Sequence, residues 1–291
     1  MVNKKKILIA NTLCFIGIDH LLLLLRKYFY KGNYIYALNY HDTPEHESSS
    51  LEQQLIFFKK HFSNVNQSDL NLFFANKEWH KDKPGLILSF DDGLRSNFDV
   101  AAPLLEKFGF TAWFFIPTDF LDVPISEQFE FANNHSICIR SCVRKSYRDC
   151  RLAMTWDEVM QLDKNHVIGC HTKSHKRMEA STTETQIHQE IVLSKKILEE
   201  KLGHQIEIFC WVGGEEESYS DVGARAIREA KYKYSFMTNC MPIKTDTNPH
   251  QLQRNNVETS WSINLVKFAV SGVMDLLYFP KRKRVNYLTA E

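Results

Sequence analysis

No sign of charge dominates this chain. Its 291 residues carry 36 Lys and Arg against 35 Asp and Glu, a formal net charge of +1. Nucleic-acid partners usually demand a strong basic excess, so none is expected. A long apolar run is lacking as well. Asn11 and Thr12 interrupt the stretch from Ile7 to Ile18, and Asp19 and His20 break it before Leu21 to Leu25. Nothing reaches the roughly 20 clean apolar residues of a spanning helix. Lys4, Lys5 and Lys6 precede that stretch, but no small-residue cleavage site follows it. Residues 1–33 are therefore expected to form an amphipathic or strand-plus-helix lead-in, with a membrane or export element as the alternative. A disulfide framework is missing too. Cys14, Cys138, Cys142, Cys150, Cys170, Cys210 and Cys240 are odd in number and include no C-x-x-C pair. Thiols of an intracellular or inward-facing protein are the better expectation than a zinc knot at Cys138, Cys142 and Cys150. No internal repeat is visible.

What remains is ordinary globular material, 44% hydrophobic and 24% charged, enough for a sizeable core. Short runs of β-formers alternate with helical spacing. Strands are predicted at Tyr34–Tyr40, Leu86–Phe90, Ala112–Ile116, Val167–Cys170, Ile206–Trp211 and Tyr234–Thr238. Helices are predicted at Glu52–His61, Phe98–Phe108, Thr155–Leu162, Thr183–Leu202 and Val222–Ala230. Thr155 and Glu158 form a capping-box pattern, and Gly109 and Gly203 stand where helices should stop. The stretch 119–152 is polar and reads as an irregular insertion. This order predicts a mostly parallel α/β sheet, open or closed into a barrel. Functional groups of such folds gather at the C-terminal ends of the strands.

Three polar clusters follow predicted strands: His41-Asp42, Asp91-Asp92-Gly93 and His171 to His175. Adjacent carboxylates after a buried strand are costly unless paired, hydrogen-bonded or bound to a cation. Gly93 should relax the backbone so that both turn toward one site. A solvated Asp-Gly turn is the bland alternative. His171 and His175 share a face if helical, and a loop can also converge them; two surface histidines are the bland alternative. Together, one carboxylate and two imidazoles make a three-ligand metal site with open positions, leaving the second aspartate free to act as a base.

Ser89-Phe90-Asp91-Asp92-Gly93 resembles the first signature of the polysaccharide deacetylases, the NodB-homology group called carbohydrate esterase family 4. His171 to His175 is similar to that family's H-[ST]-x-x-H signature. Thr155-Trp156 resembles its approach to the histidines, and Tyr40-His41 the pair that opens many cell-envelope members. The resemblance runs from about Tyr34 to Arg254. It implies a distorted (β/α) barrel over 34–291, with Asp92, His171 and His175 as metal ligands and Asp91 as the base. Zinc suits that set, and iron, cobalt and nickel accept it. The family's third signature offers an arginine and a proline, but Phe209–Glu217 has neither. Arg254 is the candidate to supply that charge. The family's late histidine also lacks a clean match, so His41, ahead of His250, is the candidate general acid.

The activity so implied is removal of N-acetyl groups from amino sugars of a surface polysaccharide or its precursor. Hydrolysis of another non-peptide amide, or glycan binding without turnover, are the alternatives. An N-acetylated carbohydrate is the expected partner. Ile263–Phe279 followed by Lys281–Arg284 leaves a peripheral membrane contact open. A cytoplasmic location is expected, with membrane association and export open, and the oligomeric state is not fixed. Glu215, Glu216 and Glu217 are expected in a solvated loop. Trp113, Trp156 and Trp211 are either core or sugar-stacking residues.

Overall fold

The computed structural model describes residues 11–12, 18–140 and 147–290. Cys14, Cys142 and Lys4–Lys6 lie outside the described residues. Nine strands form one sheet in which the pairing throughout is parallel. They are β1 (Ile35–Tyr40), β2 (Ser63–Asn64), β3 (Gly85–Phe90), β4 (Ala112–Ile116), β5 (Val167–Cys170), β6 (Ile208–Cys210), β7 (Tyr234–Met237), β8 (Leu252–Gln253) and β9 (Asn255–Asn256). Their order is β8-β7-β6-β5-β4-β3-β1-β9, with β2 beside the start of β3.

The two ends of that order are one piece of chain. β8 pairs with β7, β9 pairs with β1, and only Arg254 separates them. Its amide bonds Met237 O at 2.8 Å, while Val257 N bonds Asn39 O at 3.0 Å. The sheet thus closes on itself at residue 254 into a distorted (β/α) barrel.

Period-two alternation divides the strand residues between two layers. Tyr36, Leu38, Tyr40, Leu86, Leu88, Phe90, Phe114, Ile116 and Phe209 pack outward under the helices. Ile35, Ala37, Ile87, Trp113, Phe115, Val167, Ile208, Phe236 and Leu252 fill the inside. Gly169 is needed in that interior, because a Cβ there would sit 2.6 Å from Phe115. Trp113 and Trp211 are core residues.

The helices match their patterns where caps are strong. Thr155 and Glu158 bond reciprocally to open the helix Trp156–Leu162, and Thr183 with Gln186 does the same for Glu184–Ile187. That helix continues through a π segment, His188–Leu193, into Ser194–Leu202. Ile187, Ile191, Ser194 and Leu198 form its buried face. Helix Gln67–Asn76, capped by Asn66, was not anticipated. Among its described residues, the stretch expected to be irregular carries two short helices, Thr118–Asp122 and Gln128–Asn134. They form around a small apolar cluster of Leu94, Phe120, Ala132, Ile137, Leu152 and Ala153. Those residues are spread too thinly through polar sequence to show a period.

Candidate metal centre

The alternation that buries Ile87 inside the barrel continues upward to Ser89 and Asp91. Asp92, one residue on, should point away. Its backbone instead turns left-handed, with φ 76°, and Gly93 follows at 63°. The turn expected of Gly93 alone therefore begins at Asp92, and both carboxylates enter the mouth. Thr172 and His175 are also left-handed, at 62° and 59°. His171–His175 is thus a loop, not a helical turn. Left-handed non-glycine residues each cost on the order of 1–3 kcal/mol and persist only where surrounding contacts impose them.

Those contacts are present. The Glu190 carboxylate accepts from the amides of Lys173 and Ser174 at 2.9 and 2.8 Å and from Ser174 Oγ at 2.6 Å. Asp119 holds the same loop through Lys173 Nζ at 2.7 Å and by its own amide to Lys173 O at 2.8 Å. So positioned, one oxygen of each ligand candidate converges. Asp92 Oδ1 lies 3.0 Å from His175 Nε2 and 3.6 Å from His171 Nε2. That oxygen is buried and makes no hydrogen bond. Each histidine points its other nitrogen at a backbone carbonyl: His171 Nδ1 is 3.0 Å from Cys210 O, and His175 Nδ1 is 2.6 Å from His135 O. Donation there leaves Nε2 with its lone pair facing Asp92, as a metal ligand requires. An orphaned carboxylate oxygen beside two oriented imidazoles fits a divalent cation.

Asp91, His171 and Cys210 form the other converging group among the described residues. It suits a cation less well. Burial pushes the Cys210 thiol far up, and thiol ligation needs the thiolate. Asp91 is already committed: Arg254 Nη1 and Nη2 bond its two oxygens at 2.6 and 2.8 Å. Arg254 Nη1 also reaches Ser89 Oγ at 2.9 Å, and the guanidinium lies over Phe115. The charge absent from Phe209–Glu217 thus reaches Asp91 from the closing strand.

Electrostatics follow from these partners. Burial works to raise both carboxyls, but Arg254 and His171 hold Asp91 below its ordinary range. With His175 protonated in the absence of a cation, that imidazole is the chief group holding Asp92 well below it, against the same burial. Burial lowers His171 to about 4. His175 rises despite burial because Asp92 faces it. Burial also opposes the charge on His41, yet the hydrogen bond to Glu258 Oε1 at 3.3 Å, with Asp92 and Asp91, lifts it to about 9.

His41 stands in the mouth. His250 does not: it precedes β8, at the opposite end of the strand from Arg254, and is absent from the lining. Sequence reasoning missed the groups that hold His41. Arg140, from the supposed insertion, bonds Glu258 Oε2 at 2.8 Å, pairs with Glu47, and takes Asp42 Oδ2 on its amide at 3.1 Å. His135, from the same segment, supplies the carbonyl behind His175. Asn39 also escaped notice. It lines the mouth with a buried, unpartnered Oδ1. Strand parity with Ile35 and Ala37 would have placed it inside.

The mouth is a cavity of about 650 Å³ lined almost entirely by polar groups, with no tryptophan. Trp156 instead bonds Asp122 at 2.8 Å. Of the three acidic residues expected in solvent, Glu216 pairs with Arg284 at 2.7 Å and Glu215 with Arg177 at 3.3 Å. Cys138, Cys150, Cys170, Cys210 and Cys240 are all thiols.

Residues 79–235 match the family model described as polysaccharide deacetylase. Among solved structures, the Streptococcus pyogenes deacetylase PplD in complex with acetate is 17% identical, with a TM-score of 0.63 over 81% of this chain and 97% of that one. A de-N-acetylase from Aggregatibacter actinomycetemcomitans gives 17% and 0.63, over 81% of this chain and 99% of that one. IcaB from Ammonifex degensii gives 15% and 0.62, over 84% and 98%. At such identities these likenesses show the fold. No curated protein matches.

Proposed function

Since the chain belongs to the polysaccharide deacetylase family, we propose that it removes N-acetyl groups from amino sugars of a surface polysaccharide or its precursor. Asp92, His171 and His175 hold a divalent cation in this reading, zinc first, with iron, cobalt or nickel accepting the same set. The observation that carries it is the pair of adjacent carboxylates given opposite tasks. Asp92 faces two imidazoles with a bare oxygen, while Asp91, one residue away, is clamped by Arg254.

A bound cation would make a water more acidic and polarise the amide carbonyl. Asp91, kept ionised by Arg254, accepts the proton of the attacking water. Arg254 fixes both its oxygens, so the base neither rotates away nor takes up a proton at rest. His41, raised to about 9 largely by Glu258, is protonated near neutrality. It gives its proton to the amine nitrogen as the C–N bond breaks, and acetate leaves. Asn39 Oδ1 is an acceptor for a substrate N–H or hydroxyl. The guanidinium beside Asp91 answers one of the two motives for reading the chain as a glycan binder without turnover, the other being the missing late histidine.

The test is acetate release, with the chain loaded with zinc or stripped by a chelator. Chitooligosaccharides, poly-N-acetylglucosamine, and nucleotide-linked and lipid-linked amino sugars are the substrates. Metal-dependent release from any of them supports the reading. A metal-loaded chain inert on all four, yet active on small ring amides, overturns it.

A further inference from the structure

A helix on a water-soluble domain turns its apolar stripe inward. Helix Ile18–Phe29 does the reverse. Leu21, Leu24, Leu25 and Tyr28 follow the i, i+3, i+4, i+7 spacing of one face, and they are 52%, 52%, 41% and 80% exposed. Phe29 extends the stripe at 76%. Arg26 is the residue turned inside. It pairs with Asp275, donates to Val270 O and Tyr36 Oη at 3.1 Å each, and lies over the Tyr36 ring. A buried ion pair and Leu23 thus anchor the helix, while its large apolar side chains stand in solvent. Directly after Asp275, Leu276, Leu277 and Phe279 are exposed as well.

Charge distinguishes what could cover this face. Over residues 1–33, and setting aside Arg26, whose charge is paired with buried Asp275, Lys4, Lys5, Lys6, Lys27 and Lys31 stand against a single acid, Asp19. That is five cations to one anion in a chain whose net charge is +1. A second copy would bring the same cations to the contact and be repelled. An anionic surface would be attracted.

We propose that the face of helix Ile18–Phe29, with Leu276, Leu277 and Phe279, docks in the interface of an anionic lipid bilayer. It lies in that interface and does not cross, since no helix among the described residues is long and apolar enough to span. This centres the contact on helix Ile18–Phe29 and keeps, of the expected Ile263–Phe279 and Lys281–Arg284, only Leu276, Leu277 and Phe279. Helix Ile263–Val270 buries five of its residues against the core. The basic run is bonded internally: Lys281 to Gly214 O, Arg282 to Asn239 O and Cys240 O, Arg284 to Glu216. The segment carrying the exposed leucines also walls a cavity of about 280 Å³ next to the mouth, through Met274, Tyr278 and Lys281. The two cavities share Gly214, Thr238 and Asn256. Docking would therefore bring the catalytic groove to glycans carried at a bilayer.

The experiment is co-sedimentation of the full chain with vesicles of phosphatidylglycerol and phosphatidylcholine, and with phosphatidylcholine alone. Binding to the anionic vesicles, weakened by salt, is expected. The triple variant Leu24→Glu, Leu25→Glu, Tyr28→Glu changes only exposed side chains and should lower it at least about tenfold. Circular dichroism and zinc content should stay unchanged. No sedimentation with either vesicle overturns the proposal, as does binding that the triple variant leaves intact. So does a concentration-dependent dimer that the triple variant abolishes while vesicles go unbound. None of these readouts uses turnover, so failure here and failure of the deacetylase reading are separable.

Discussion

The inside of the barrel has two halves built by the same strands on the same alternation. Toward the strand N-termini, Ile35, Ile87, Trp113, Phe115, Val167, Ile208 and Phe236 meet one another and exclude water. Toward the C-termini, the same inward positions continue as Asn39, Ser89, Asp91, His171, Cys210 and Arg254. One half gains stability by burial, and its chemistry is interchangeable within volume limits. The other half buries charge, which is tolerable at Asp91 only because the Arg254 guanidinium faces it. Asp91 and Arg254 are as buried as the core around Phe115, at 3% and 1% exposed, yet each depends on a single opposite number.

Substitutions can break that contrast. The largest effect is expected for Asp92→Ala or His175→Ala. Zinc content measured by atomic absorption should fall to none and acetate release to background, while circular dichroism stays that of the wild type. Retained metal in both variants would remove these residues from the ligand set. Next is Arg254→Met, which strands a buried carboxylate. It should cost about 3–5 kcal/mol in denaturant unfolding, and the double variant Arg254→Met, Asp91→Leu should regain much of it while remaining inactive. A double variant no more stable than the single one would show that the clamp is not the cause.

His41→Ala should lower turnover by roughly 10²–10⁴. The folded His41 has a raised pKa, so its charged form, and the stability from Glu258, are fully present below about 6.5. Both fade as pH rises through about 9, and turnover should fall on that same basic limb. Glu258→Gln should move the limb to lower pH; an unmoved limb would assign it to another group. The smallest effect belongs to the apolar half. Gly169→Ala pushes a Cβ against Phe115 and should cost about 1–3 kcal/mol. Zinc stoichiometry and turnover per folded molecule should stay unchanged, which would show that the halves separate.

Legibility in the sequence follows the same division. The apolar strands could be read because burial on both faces leaves continuous runs such as Leu86–Phe90. Asp91, Asp92, His171 and His175 were legible because each pair is local. The closing strand was not, because Gln251, Gln253 and Asn255 replace packing with hydrogen bonds. Gln251 reaches Asn286 O and Thr289, Gln253 accepts from the Asn239 amide, and Asn255 bonds Ala269 O. A strand held by amides shows no hydrophobic period. Arg254 was singled out only through a family resemblance, and Glu258, Arg140, Glu190 and the His135 carbonyl act through space from distant sequence.

The closure at residue 254 has a bearing on how the protein comes into being. Asp91 leaves the ribosome first, and the guanidinium that makes its burial tolerable follows 163 positions later. Until then the ring lacks its last stave, and the carboxylate has only water for company. Closure of the barrel and the clamping of Asp91 are thus one event, timed by the arrival of the closing strand.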